Sequence, residues 1–183
     1  MGNDVVQTFR RMKGAVTLMP TVSASGRKLK MAWINAAKTD RAINKMSLPD
    51  VISFHSPKGW TNETVMLKYL QDVILNHTKG KECALILDDY GAHWTPAVQK
   101  AAADGHIELI RVPKGLTSIL QPLDVSFNSF FKQLREKETS NQIIRRTVSV
   151  EEKENIVQRA AVAYDKVTKI TVLLGWKPCI MDE

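Results

Sequence analysis

The sequence predicts an α/β fold in which helices flank a mixed sheet, and three features of the chain support that prediction. An apolar hairpin near the N-terminus is followed by alternating helical and strand-like segments between residues 61 and 112, and two helical segments close the chain. A strand, a helix and a strand of this size imply a parallel pair with a right-handed crossover. With 183 residues, 44% of them hydrophobic, the length suits one globular domain with a sizeable core.

The hairpin prediction comes from two apolar, β-leaning runs, residues 15–22 and 30–36. A turn of small residues, 23–27, separates them, and such a turn between two runs favours an antiparallel pair. Residues 37–61 are irregular except for a short strand-like run at 51–54.

A helix is predicted after this segment, capped by Thr61 or Asn62 and ending near His77. Its apolar residues recur at helical spacing and are Val65, Met66, Tyr69, Leu70, Val73 and Ile74. The continuous apolar run 83–87 then predicts a buried central strand that ends at Asp88 and Asp89.

The next elements are a short helix and a second parallel strand. Thr95 caps the helix, Pro96 occupies its first turn, and Gly105 closes it. Residues 107–112 form another short apolar strand. A loop after Pro113 leads to the later helices.

Two helices are predicted in the C-terminal part. The first opens at Asp124 and the second spans residues 151–167, with a polar connection at 136–149 between them. Their apolar faces are formed by Val125, Phe127, Phe130, Phe131 and Leu134 in the first and by Ile156, Val157, Ala160, Ala161 and Tyr164 in the second.

The positive charge is concentrated in the first quarter of the chain. Residues 1–45 hold nine basic and two acidic side chains, so the net charge of this segment equals that of the whole chain, +7. A basic segment favours binding to a polyanion such as the nucleic-acid backbone, although a merely solvated basic face remains open. The candidate contacts are Arg10, Arg11, Lys13, Arg27, Lys28, Lys30 and, further along, Lys114.

Several classes of protein are disfavoured. The sequence has neither an apolar run long enough to cross a bilayer nor the pattern of a signal peptide, so we expect an intracellular, soluble protein without a membrane partner. Cys83 and Cys179 lack further ligands at metal-binding spacing, which predicts core thiols. A nucleophile elbow and a glycine-rich phosphate loop are both missing.

Acidic residues follow the predicted central strand and open a later helix. Asp88 and Asp89 lie where ligands gather at the carboxyl end of a parallel sheet, and Asp124 is expected to pack nearby. Two carboxylates repel each other unless a cation bridges them, and oxygen ligands favour Mg²⁺ or Mn²⁺. The alternatives are that Asp88 only forms a turn and that Asp124 is an ordinary helix N-cap.

The stretch LILDDYGAHWTPAVQKAAADGHIELIRVPKGLTSILQPLDVSFNSFFKQLRE, residues 85–136, resembles the core of pogo/Tigger/jerky-type DDE (DDD) transposases of the mariner superfamily. In that family a strand ends in LxxDNAPSH, and a later helix is announced by LQPLDV. The resemblance makes Asp88 the second and Asp124 the third acidic ligand, 36 residues apart, and aligns His93 with the family's His. Residues 89–92 depart from the family's Asn-Ala-Pro-Ser.

The resemblance extends to about residues 12–178 and implies an RNase H-like fold whose first strand is incomplete or missing. Its implied organisation is a basic segment at 1–14, an RNase H-like core at 15–138 and a helical extension of the same domain at 139–183. It further implies Mg²⁺ (or Mn²⁺) bound by Asp88 and Asp124, DNA as partner and a nuclear location. Homo-oligomer formation is left open.

The family's first acidic ligand and its helix-turn-helix region have no counterpart in this sequence, since Asp4, the only acid before the hairpin, does not match the expected motif. We therefore expect a transposase-derived domain that binds nucleic acid and in which phosphodiester cleavage and strand transfer are impaired. The alternative is a non-catalytic DNA- or protein-binding module. A truncated chain that does not fold stably is a third possibility.

Overall fold

The computed structural model describes residues 7–8, 16–37, 48–124, 128, 131–134, 136–137 and 153–177. A first sheet has four strands in the order β1-β2-β3-β4, where β1 and β3 are antiparallel to β2 and β4 is parallel to β3. Their bounds are β1 Gln7–Thr8, β2 Val16–Met19, β3 Met31–Ala36 and β4 Val51–Ser56. The predicted hairpin is thus confirmed, and the run at 51–54 is a strand of this sheet.

A second sheet consists of the parallel pair β5 (Cys83–Leu87) and β6 (Ile107–Arg111), joined through helix α3 (Pro96–Asp104). The Thr95 hydroxyl caps α3 by accepting from the Val98 amide at 3.4 Å. The predicted order of strand, helix and strand is confirmed, as is the α/β class with antiparallel and parallel strands.

The prediction of β5 as a buried central strand is wrong for the described residues. Leu87 is its one buried residue, and Ala84 is exposed. Within the described part of the chain β5 pairs only with β6, so its other edge borders a cavity instead of a neighbouring strand. Continuous hydrophobicity indicates a strand but does not show how many neighbours that strand has.

The helix before β5 has the predicted extent but not the predicted uniformity. It runs as α1 (Glu63–Tyr69), a π-helical segment (Leu70–Leu75) and α2 (Asn76–Thr78). Of the two predicted caps the structure uses Asn62, whose side chain accepts from the Val65 amide at 2.9 Å.

The loop predicted after Pro113 contains a short helix, α4 (Thr117–Leu120). Of the next predicted helix, Val125, Phe127 and Phe130 lie outside the described residues, whereas Phe131 is buried. The closing helices are α5 (Lys153–Lys166) and α6 (Lys169–Trp176), which confirms the predicted C-terminal helical region. None of the helices in the described ranges is long and apolar enough to cross a membrane.

The first sheet buries both of its faces because successive side chains of a strand alternate between them. One face contributes Leu18, Met31 and Trp33 to a cluster with the later helices, completed by Leu123, Phe131, Ile156, Val157, Ala160, Ala163, Tyr164, Val167 and Val172. The other face contributes Met19, Ala32 and Ile34 to a cluster with α1, α3 and the parallel pair. The sheet is therefore the middle layer of the fold.

Tyr164 fastens α5 to the hairpin. Its hydroxyl lies 2.7 Å from the carbonyl oxygen of Thr21 and 2.8 Å from that of Leu29, so the two carbonyls share its one proton. The Thr21 hydroxyl in turn lies 2.7 Å from the Tyr69 hydroxyl. Burial raises the pKa of Tyr69 to about 12 and that of Tyr164 further, so both phenols stay protonated in the folded protein.

Candidate metal site

Asp88 and Asp89 directly follow β5 and face different environments. Asp88 is buried, with 4% of its surface exposed. Asp89 is half-buried and pairs with Arg111 Nη1 at 3.3 Å and, at 4.0 Å, with Lys114 Nζ. This difference follows from the alternation of side chains along an extended chain. Of the two aspartates, Asp88 lies inside the fold.

Two groups contact the carboxylate of Asp88 from the turn that follows it. The Tyr90 amide donates to Asp88 Oδ1 at 3.2 Å, and His93 Nδ1 lies 2.8 Å from the same oxygen. The Asp88 carbonyl accepts from the Trp94 indole N–H at 2.8 Å. Asp88 therefore also stabilises a turn, as the alternative reading of the sequence expected, and this role is compatible with ligand binding.

Trp94 connects the two aspartates. While its indole N–H holds the Asp88 carbonyl, the guanidinium of Arg111 stacks on its ring, 4.1 Å from the centroid. Because Arg111 also pairs with Asp89, the indole ring and the ion pair hold the end of β5 against the end of β6.

A cavity of about 600 Å³ separates the first sheet from β5. Its walls are mainly apolar, and its polar lining residues include Asp88, His93 and Gln121. His93 and Gln121 are each 4% exposed, and His93 Nε2 and Gln121 Oε1 have no hydrogen-bond partner among the described residues. Buried polar atoms of this kind are uncommon, since each one costs free energy unless a ligand or water satisfies it.

The segment Gln121–Leu123 lines the same cavity and places Asp124 immediately beyond it. The Asp124 amide donates to the Gln121 carbonyl at 2.9 Å, so Asp124 lies within a helical turn that already includes Pro122. Its carboxylate accepts from Asn128 Nδ2 at 2.6 Å. The alternative that Asp124 is the N-cap of its helix is therefore wrong.

The structure thus brings the segment before Asp124 to the cavity that Asp88 borders. Among the described residues there is no group of three or more His, Cys, Asp or Glu side chains that could hold a metal ion. Asp88 and Gln121 contribute side-chain oxygen atoms to the cavity lining, and Asp124 follows directly after the lining segment.

The candidate nucleic-acid contacts fall into three groups. Arg10, Arg11 and Lys13 lie outside the described residues. Arg27, Lys30 and Lys114 are exposed. Lys28 is engaged, because its ammonium donates to the carbonyl oxygens of Tyr164 at 2.7 Å and Asp165 at 2.6 Å, near the C-terminus of α5. Burial lowers the pKa of Lys28, against the opposing effect of Asp165 and Asp50.

Of the two cysteines, the structure describes Cys83. Cys83 is a free thiol that is partly buried at the start of β5, and burial raises its pKa. A raised pKa disfavours the thiolate that binds metals. Cys179 lies outside the described residues.

The sequence did not predict the contact of His93 with Asp88 or the place of Gln121 on the cavity. His93 stands five residues after Asp88 and Gln121 three residues before Asp124, and in both cases the separation is bridged by a turn. The signal available in the sequence was a histidine shortly after a strand-terminal aspartate. The turn at Gly91–His93 is what brings the two side chains together.

Comparison with known proteins identifies the family of the chain. The chain is similar to the protein called Pogo transposable element with KRAB domain. Over 96% of its length it is 26% identical to the human form (Homo sapiens) and 25% identical to the mouse form (Mus musculus). The chain spans about 30% of the length of these relatives. The family model described as DDE superfamily endonuclease matches residues 13–176, nearly the entire length, and the chain therefore belongs to the DDE superfamily endonuclease family.

Proposed function

We propose that this chain is a transposase-derived, nucleic-acid-binding domain in which Asp88 and Asp124 hold a divalent cation but do not by themselves support strand cleavage. The observation that carries the proposal is the burial of Asp88 in the lining of the cavity that Gln121–Leu123 also line. Nucleases of this superfamily generally depend on divalent metals.

The residues at this site fit a hard divalent ion. Burying a carboxylate is costly unless a cation or hydrogen bonds compensate it, and Asp88 is almost completely buried. Carboxylate oxygens are the donors that Mg²⁺ and Mn²⁺ prefer, and Asp88 and Asp124 supply them. When bound, such an ion polarises a phosphodiester oxygen. The protein's own part is to orient the two carboxylates and to exclude water with the apolar walls of the cavity.

Impaired cleavage follows from the number of ligands. Two-metal catalysis requires both ions to be held in place. The described residues contain no cluster of three candidate ligands, so we propose weak metal binding and a poorly placed nucleophile.

The wider proposal is an RNase H-like domain that acts on DNA in the nucleus. The mixed sheet between two helical layers is compatible with that fold, and the packing of α5 against the hairpin supports treating residues 139–183 as an extension of the core at 15–138. Exposed Arg27, Lys30 and Lys114 are available for the DNA backbone, together with the basic residues of segment 1–14.

Incubation of the purified protein with supercoiled DNA and Mn²⁺ tests the cleavage part of the proposal. We expect no nicking above background in the wild type. Nicking that is lost in Asp88→Asn but retained in Asp89→Asn would show that the chain is an active nuclease. Asp89→Asn is the matched control because Asp89 pairs with Arg111 and Lys114 instead of facing the cavity.

A second candidate function is a non-catalytic module that binds DNA or protein without metal. The exposed basic side chains favour it as much as they favour the first proposal. Titration with Mn²⁺ separates the two, since a folded-state ligand raises the melting temperature. A melting temperature that does not change with Mn²⁺, together with DNA binding that weakens steeply with salt, would support the metal-free module.

A further inference from the structure

We infer that His93 is a positioning residue for Asp88, which it orients through the contact of its Nδ1 with the Asp88 carboxylate. This inference rests on the proposed function, because the orientation of Asp88 matters for a ligand bound in the cavity. His93 Nδ1 lies 2.8 Å from Asp88 Oδ1, and both side chains are 5% exposed.

The contact favours one tautomer of a neutral His93. An ionised carboxylate only accepts hydrogen bonds, so an approach of 2.8 Å favours the tautomer that carries its proton on Nδ1. The N–H direction departs from the line to Oδ1, so the contact is electrostatic and not yet a well-directed hydrogen bond. In this tautomer Nε2 carries a lone pair.

The ring of His93 is held in place from several sides. His93 ends the short 3₁₀ turn Gly91–His93, and its amide donates to the Tyr90 carbonyl at 2.9 Å. The Tyr90 ring packs edge-on against it, with centroids 5.4 Å apart. Tyr90 is itself tied to α1 through its hydroxyl, which donates to the Thr61 carbonyl at 3.2 Å. Because the His93 ring is held in this way, it can fix the orientation of the Asp88 carboxylate.

Two contacts on one oxygen fix the carboxylate plane. Asp88 Oδ1 receives the Tyr90 amide at 3.2 Å and His93 Nδ1 at 2.8 Å. Fixing Oδ1 also fixes the direction of the second oxygen relative to the cavity. Outer partners that orient a ligating group in this manner change metal affinity by about 10- to 100-fold when they are removed.

Two substitutions separate the Nδ1 role from a merely structural one. An asparagine at position 93 places an amide N–H near the position of Nδ1, whereas a glutamine places one near Nε2. We expect His93→Asn to retain the Mn²⁺ affinity of the wild type within about threefold and His93→Gln to lose about tenfold or more. Electron paramagnetic resonance of free Mn²⁺ measures both affinities. Equal losses in the two variants would overturn the inference.

The tautomer is tested without metal by ¹⁵N imidazole NMR of the wild type at pH 8. We expect a protonated Nδ1 and a bare Nε2 for His93, and an Nε2–H tautomer would overturn the inference whatever the variants do. If the wild type binds no Mn²⁺, the proposed metal function fails. The inference on His93 then stands or falls with this spectrum, so the two failures are distinguishable.

Discussion

The hairpin and the parallel pair of this protein have similar strand lengths but differ in how many of their residues are buried. The hairpin strand β3 is buried at Met31–Asn35, and helices cover both faces of its sheet. The parallel strands β5 and β6 bury one residue each, Leu87 and Ile107. Asp88, the buried carboxylate of the proposed metal site, directly follows strand β5 of this pair.

This difference separates the part of the fold that supplies stability from the part that supplies a site. Tyr164 and Lys28 fasten α5 to the hairpin with hydrogen bonds to backbone carbonyls. The end of β5 is held instead by side chains around Asp88 and Asp89, through Trp94 and Arg111. We call the first sheet with its covering helices the closed half and the pair of β5 and β6 the open half. Because the closed half carries the core, the open half can keep a cavity and a buried carboxylate.

The largest expected effect comes from making the same truncation in each half. Ile34→Ala in β3 removes a completely buried side chain, whereas Ile110→Ala in β6 removes one that is 40% exposed. We expect the first to lower the free energy of unfolding by about 2–5 kcal/mol and the second by less than about 1 kcal/mol. Urea unfolding measures both. Equal losses would contradict the division into a closed and an open half.

Removal of a tyrosine hydroxyl repeats the comparison for hydrogen bonds. In Tyr164→Phe the buried carbonyls of Thr21 and Leu29 lose a donor, so we expect a loss of about 1–3 kcal/mol in the free energy of unfolding. Tyr90→Phe is the matched control, since Tyr90 is 40% exposed and makes one bond of 3.2 Å. Its expected loss is about 0.5 kcal/mol or less. An equal loss in the free energy of unfolding for Tyr90→Phe would contradict this comparison.

The closed half should also weaken at alkaline pH. Tyr69 has a folded pKa of about 12 against an ordinary 10, so its contribution is fully present below pH 10 and is lost as pH rises from 10 towards 12. We expect the free energy of unfolding to fall by about 1 kcal/mol between pH 9 and 11 on this account. The decline should be shallower in Tyr69→Phe. Parallel pH profiles for the variant and the wild type would contradict this assignment.

The smallest effect concerns individual amides of β5. In a parallel pair alternate residues bond the neighbouring strand, and here Cys83 and Leu87 bond towards β6. Ala84 and Ile86 therefore direct their N–H groups towards the cavity side. We expect these two amides to exchange with deuterium at least about tenfold faster than that of Leu85, measured by NMR. Equal protection of all three would mean that the second edge of β5 is covered.

Much of the local structure could be predicted from the sequence. Hydrophobic alternation and a small-residue turn predicted the hairpin, and the Thr95-Pro96 pair predicted the start of α3. Capping also predicted the helix at Asn62. These signals are local, because a cap or a turn involves residues within a few positions of one another.

The surroundings of the candidate site could be predicted only in part. The family resemblance selected Asp88 instead of its neighbour Asp89, and the structure shows Asp88 buried and Asp89 turned to Arg111. The contact with His93 and the cavity beside Gln121 were missed. Both depend on how separate segments pack, which periodicity does not encode.

The sequence by itself determined the order of strands and helices, the basic N-terminal quarter and the family resemblance, since each is written in neighbouring residues. The tertiary structure alone decided that β5 pairs only with β6 among the described residues, that Asp88 is buried and that His93 Nδ1 lies beside its carboxylate. The physical reason is that burial and long-range contacts depend on which elements lie side by side. The hydrophobicity of a strand predicts that the strand is buried, but it does not identify the elements that pack against it.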